Sequence, residues 1–167
     1  MKYCKMREVK SIVRANEDDA GIDFYVPTFT KEFVGDLMSK PTNSKLQWAS
    51  ATSVRVPPHE QILIPAGIKV IVPKGYALIA MNKSGVATKK RLDVGACVID
   101  TPYRGEVHIN LMNTSNEPAE ISEGDKIVQF VLNKISTEQP KEISLEEYEK
   151  NSNTTRSSGG FGSTGTN

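Results

Sequence analysis

Between residues 61 and 80 the chain reads QILIPAGIKVIVPKGYALIA, with three short apolar runs (61–64, 68–72 and 76–80) parted by PAG and PKG. Brief β-branched runs bounded by Pro and Gly turn chemistry predict strands. In EVHINLMN the alternation is clean: Val107, Ile109 and Leu111 share one face, and His108, Asn110 and Met112 the other. KIVQFVLNK, at 126–134, is nearly continuous in apolar residues and predicts a strand buried on both faces. Many short strands with few helical stretches predict an all-β fold, a barrel or a pair of sheets.

Two segments depart from this pattern. Residues 31–52, KEFVGDLMSKPTNSKLQWASAT, mix charge with a few large apolar residues and hold the one tryptophan, Trp48. They read as an inserted excursion with one short helix, packed on the outside. SLEEYEK has Ser144 and Glu147 at capping-box spacing, enough for one or two helical turns. Beyond Tyr148 the chain soon becomes Asn, Ser, Thr and Gly, ending TTRSSGGFGSTGTN. The expected division is a β domain over 1–148 and a flexible arm over 149–167.

Composition narrows the function. A chain of 167 residues, 38% hydrophobic and 25% charged, suits a single globular domain. A net charge of +1 supplies no broad field for nucleic acid or a membrane surface, so neither is expected as a partner. Cys4 and Cys97 lie far apart without metal-type spacing, and no long apolar run or secretory signal is visible. A soluble, intracellular, cytoplasmic protein is the expectation.

Candidate chemistry gathers in a few stretches. In GACVIDTPYRGEVHINLMN an acid ends a short apolar strand, a Thr-Pro turn follows, and Tyr-Arg-Gly leads into a second strand. This predicts a β-hairpin with Asp100 and Tyr103 near its tip and its backbone groups open to the edge of a pyrimidine. Asp100 could activate a water as general base, and Tyr103 could press on a sugar. Spacing alone fits equally a turn aspartate and a packing tyrosine. Lys83, Ser84 and Gly85, just after a strand, could cradle phosphate or form an ordinary polar turn. Asp23, before an apolar strand, could hold waters around a magnesium ion. Gln129 sits within an apolar run and needs partners for its amide. In the tail, Arg156 could grip terminal phosphate oxygens and Phe161 could stack on a base. A disordered polar terminus accounts for the rest of the tail and leaves those two residues unexplained.

AGIDFY, NKSGVA, GACVIDTPYRGEV, EGDKIVQF and RSSGGFGSTG, in this order, closely resemble the ordered motifs of the trimeric deoxyuridine triphosphate nucleotidohydrolase (dUTPase) family. The likeness runs from about Ala20 to Gly165, apart from the 31–52 segment. It implies a jelly-roll-like distorted β-barrel, assembled as a homotrimer whose exchanged C-terminal arm closes over a site built by other subunits. The implied reaction converts dUTP and water to dUMP and pyrophosphate with Mg2+ carried on the triphosphate, keeping uracil out of DNA and supplying dUMP for thymidylate. By the same resemblance Asp100 is the base that directs water at the α-phosphorus, and Tyr103 packs on deoxyribose and excludes a ribose hydroxyl. Main-chain groups of Cys97, Val98, Ile99, Asp100 and His108 would meet uracil. Lys83, Ser84, Gly85 and Gln129 would line the phosphates, and Asp23 would reach the metal through water. Arg156 would hold the γ-phosphate, Phe161 would cover the base, and Gly160, Gly162, Ser163 and Thr164 would complete the cap.

The sequence departs from the family pattern at four places. Lys83 stands for an arginine, Cys97 for a glycine, Pro102 for an acid and Ser157 for a glycine. Lysine keeps the charge but loses the bidentate fork. Two rival readings remain. A dCTP deaminase of the same fold would need a glutamate where HINL has Asn110, and asparagine cannot transfer the proton. A nucleotide-binding regulatory protein would use the 31–52 segment to engage a protein partner.

Overall fold

The computed structural model describes residues 1–152. Its first half contains β1 (Lys2–Lys5), β2 (Gly21–Tyr25), α1 (Lys31–Ser39), a 3-10 turn (Pro41–Asn43), β3 (Gln47–Ser50), β4 (Ser53–Val56), β5 (Gln61–Pro65), β6 (Ile68–Ile71) and β7 (Tyr76–Met81). α2 (Ser84–Lys89), β8 (Leu92–Val94), β9 (Val98–Ile99), β10 (His108–Asn113), β11 (Ala119–Ser122), β12 (Lys126–Lys134) and α3 (Leu145–Asn151) follow. All strand pairings are antiparallel. They form four small sheets, ordered β2-β12-β7-β9, β5-β10-β8, β11-β4-β3 and β1-β6. The all-β expectation holds.

Met1–Ser136 is one compact unit and Thr137 begins another. In that second unit α3 is capped as its sequence predicts, Ser144 Oγ accepting the Glu147 N–H. No helix among the described residues is long and apolar enough to cross a membrane.

The core of the first unit follows the predicted alternation. Val107, Ile109 and Leu111 are all at most 2% exposed, whereas Met112 on the other face is 36% exposed. Phe24 of β2 and Phe130 of β12 meet with ring centroids 4.4 Å apart, a tilted aromatic pair between the edge strand of the four-stranded sheet and its neighbour. β12 is less buried than its composition suggests. Ile127, Val128 and Phe130 are buried, but Val131 and Leu132 are half-buried and the strand ends in solvent.

The 31–52 segment is not an outer excursion. Thr30 caps α1 by accepting the Phe33 N–H, Glu32 lies in the first turn, and the helix stops before Pro41. Phe33 and Leu37, one turn apart, are each 1% exposed and belong to the main core. The segment continues as β3, which pairs with β4. Between them Asn43 is fully buried, its amide donating to Leu37 O (2.7 Å) and Leu63 O (2.9 Å) while its Oδ1 accepts the Leu63 N–H (2.7 Å). One side chain thus does for the outer edge of β5 what a further strand would do.

Candidate active site

The stretch from Gly95 to Asn113 does not form the expected paired hairpin. β9 joins the edge of β7, Leu78 opposite Ile99 and Ile79 opposite Val98, while β10 lies between β5 and β8. Two residues of strand are too few to reach β10, and the turn after them is tied elsewhere. Thr101 Oγ1 donates to Tyr76 O (3.0 Å), and the Tyr103 N–H donates to Asp100 O (3.1 Å).

Because β9 and β10 diverge, a cavity of about 150 Å³ opens between them, walled by Cys97, Val98, Ile99, Tyr103, His108 and Phe130. That is room for a single ring, bounded by backbone and apolar side chains. Asp100 is exposed, one residue beyond Ile99, which is 9% exposed. The Cys97 carbonyl accepts the Ala80 N–H at 2.7 Å, which ties this wall of the cavity to β7.

Asn110 has structural work. Its Oδ1 accepts the Ala96 N–H (3.0 Å) and its amide donates to Gln61 Oε1 and Ile62 O, both at 3.2 Å. The residue holds the approach to β9 and is not among those walling the cavity.

A second cavity, of about 280 Å³, is bounded by Lys83, Ser84, Gly85, Val86, Lys126 and Gln129. α2 starts here, with the Val86 and Ala87 N–H groups both closing on Lys83 O at 2.9 Å. The amides of Ser84 and Gly85 fall in the first turn, where no carbonyl of the helix can accept from them. Gln129, half-buried, donates to Asn82 O at 2.8 Å, a structural partner for its amide. Its side chain lies over Gly21, where an added Cβ would come within 2.1 Å of Oε1.

Asp23 closes the back of this cradle. It is 3% exposed, and each carboxylate oxygen has its own ammonium: Lys83 Nζ on Oδ1 and Lys126 Nζ, 3.0 Å away, on Oδ2. Both carboxylate oxygens expected to face metal-bound water are thus paired with lysines here. Hydrogen bonding to Asp23 raises the pKa of Lys126, so that cation is secured.

Lys126 escaped the sequence reading for a geometric reason. Strict alternation along β12 puts Lys126 and Gln129 on opposite faces. A register shift between Lys126 and Val128 reverses the parity and turns both toward the cradle. Gln129 and Phe130 are consecutive, and one walls the cradle while the other walls the ring-sized cavity. The two cavities therefore open from opposite faces of one strand.

Arg156, Gly160, Phe161, Gly162, Ser163 and Thr164 lie outside the described residues. Among the described residues no group of three or more His, Cys, Asp or Glu side chains could hold a metal ion.

The dUTPase family model matches residues 38–165, which takes in the later part of the 31–52 segment and begins after Asp23. The deoxyuridine 5'-triphosphate nucleotidohydrolase of Candida albicans is 49% identical over 119 residues, covering 71% of this chain and 72% of that protein. The dUTPase of Staphylococcus bacteriophage 80alpha with dUPNHPP has a TM-score of 0.73 at 23% identity, over 98% of this chain and 97% of that one. A mutant dUTPase from phage phi11 of S. aureus, which coordinates a structural Mg(II) ion, has a TM-score of 0.65 at 22% identity, over 85% and 95%. With a family model matched over residues 38–165 and a relative 49% identical over 119 residues, this chain belongs to the dUTPase family.

Proposed function

We propose that the protein hydrolyses dUTP to dUMP and pyrophosphate. The observation that carries this reading is a ring-sized cavity on one face of β12, with Asp100 and Tyr103 beside it, and a lysine-rich cradle on the other face. Phosphoryl transfer asks mainly for alignment and charge neutralisation, and these groups are of that kind. Asp100, exposed at the end of β9, takes the proton of the water attacking the α-phosphorus. Lys83, Lys126 and the first amides of α2 receive phosphate oxygens, with the lysines exchanging their carboxylate partner for the triphosphate. Tyr103 stands against deoxyribose and obstructs a 2′-hydroxyl.

The placement of the two cavities on opposite faces of β12 supports a site shared between protomers. In a cyclic homotrimer the ring-sized cavity of one subunit meets the cradle of the next. Arg156 and Phe161 of a C-terminal arm then close the site over phosphate and base. Magnesium enters as part of the substrate. The donor set supports this, since Asp23 places a carboxylate at the cradle and Mg2+ commonly binds through one or two carboxylates, waters and phosphates. Magnesium carried there would supply charge neutralisation for the polyphosphate, and Asp23 would accept hydrogen bonds from its waters once the lysines have turned to phosphate.

The deciding measurement is pyrophosphate release from dUTP, dTTP, dCTP and UTP, with and without magnesium. Release from dUTP alone, dependent on magnesium, is the expected result. Ammonia from dCTP, or no cleavage of dUTP, would overturn the reading.

A further inference from the structure

Tyr103 is 42% exposed, yet its ring is held. It folds back over Gly105, where a Cβ would come within 2.4 Å of the phenolic oxygen, and Oη donates to Glu106 O at 2.7 Å. His108 Nδ1 lies 3.0 Å from that same carbonyl. The orientation of the ring therefore depends on where the Glu106 backbone sits.

The Glu106 side chain fixes that backbone. Its Oε1 accepts the Gly67 N–H and its Oε2 accepts Arg7 Nη2, both at 2.6 Å. Arg7 Nη2 also reaches Asp36 Oδ2 of α1, at 2.8 Å, and the guanidinium lies 5.9 Å from the centroid of Phe33. Gly67 is necessary to this contact, since its φ is +70° and a Cβ there would stand 2.6 Å from Arg7 Cγ. The Arg7 and Glu106 side chains are only 12% and 10% exposed, and Arg7 Nε and Nη1 are buried with no partner among the described residues. An arginine serving stability alone is poorly placed with two idle donors, because unmade buried hydrogen bonds cost stability.

We infer that Arg7 and Glu106 are positioning residues for Tyr103, anchored to α1 through Asp36, and that they set the preference for deoxyribose over ribose. The inference rests on the dUTP-hydrolysis reading. Its logic is that of any supported site: a gate discriminates only as sharply as the groups behind it hold it in place. The 31–52 segment thereby acquires a part in specificity, because α1 supplies the last anchor of the chain Asp36–Arg7–Glu106–Tyr103.

The test compares kcat/KM for dUTP and for UTP in the full-length protein and in Glu106→Gln, Tyr103→Phe and the double variant, with thermal unfolding recorded for each. Glu106→Gln keeps an acceptor for Gly67 and loses the charge facing Arg7. Tyr103→Phe keeps the ring and loses its tether, and being exposed it leaves folding intact. Each single change should lower the dUTP/UTP preference about three- to tenfold, and the double should lower it no further than the larger single effect. A merely structural role would move the unfolding temperature and leave the preference alone. An unchanged preference in Tyr103→Phe, or additive losses in the double variant, would overturn the inference while leaving hydrolysis of dUTP intact. A wild-type protein idle on dUTP would remove the underlying reading, and this inference with it.

Discussion

Asp100 and Lys126 sit on opposite sides of the proposed chemistry and should fail in different ways. Asp100 is exposed at the end of β9, and it is its carbonyl rather than its carboxylate that accepts the Tyr103 N–H. Asp100→Asn should therefore fold normally, bind dUTP within about tenfold of wild type and lose nearly all turnover. Calorimetric binding beside a pyrophosphate assay measures both, and near-normal turnover would remove Asp100 as the base. Lys126 is shared between Asp23 and the cradle. In Lys126→Gln, Asp23 keeps Lys83, so the fold should survive. One cation fewer should raise KM for dUTP about tenfold and change kcat less, and steady-state kinetics on the two parameters decides it.

At the level of elements, legibility depended on whether neighbours in sequence were also neighbours in space. Strands over 61–80, β10 and the cap of α3 follow from local periodicity and turn chemistry, and all were foreseen. The hairpin at 95–113 was misread because an apolar run of two residues does not say which edge it will join; β7 took it. Lys126 was hidden by a bulge, and Arg7 by the distance along the chain to Asp36 and Glu106. The placement of 31–52 was misjudged because Asn43 looks like a loop residue until Leu63 is seen beside it. Asn43→Ala would strand Leu37 O and both backbone groups of Leu63, so it should cost about 3 kcal/mol in denaturant unfolding. A loss near zero would mean water replaces the amide. The arm admits a similar trial. Ending the chain after Thr155 removes Arg156 and Phe161 and should cut turnover about a hundredfold without altering assembly, as seen by paired kinetics and sedimentation.

For the whole molecule, the decisive feature is that Gln129 and Phe130 face apart. If one nucleotide spans two protomers, then a defect on the Asp100 side and a defect on the cradle side belong to different subunits at any given site. Asp100→Asn and Lys83→Ala proteins should each be nearly inactive alone. When they are unfolded together in equal amounts and reassembled, each interface draws its two halves independently. About a quarter of the sites then combine an intact Asp100 with an intact Lys83, and activity should return to about a quarter of wild type. Mixing without unfolding should restore little, since subunits must exchange for the halves to meet. Should the reassembled mixture stay as inactive as its parents, each site would be complete within one chain. The trimeric arrangement would then have to be abandoned, whatever the protein hydrolyses.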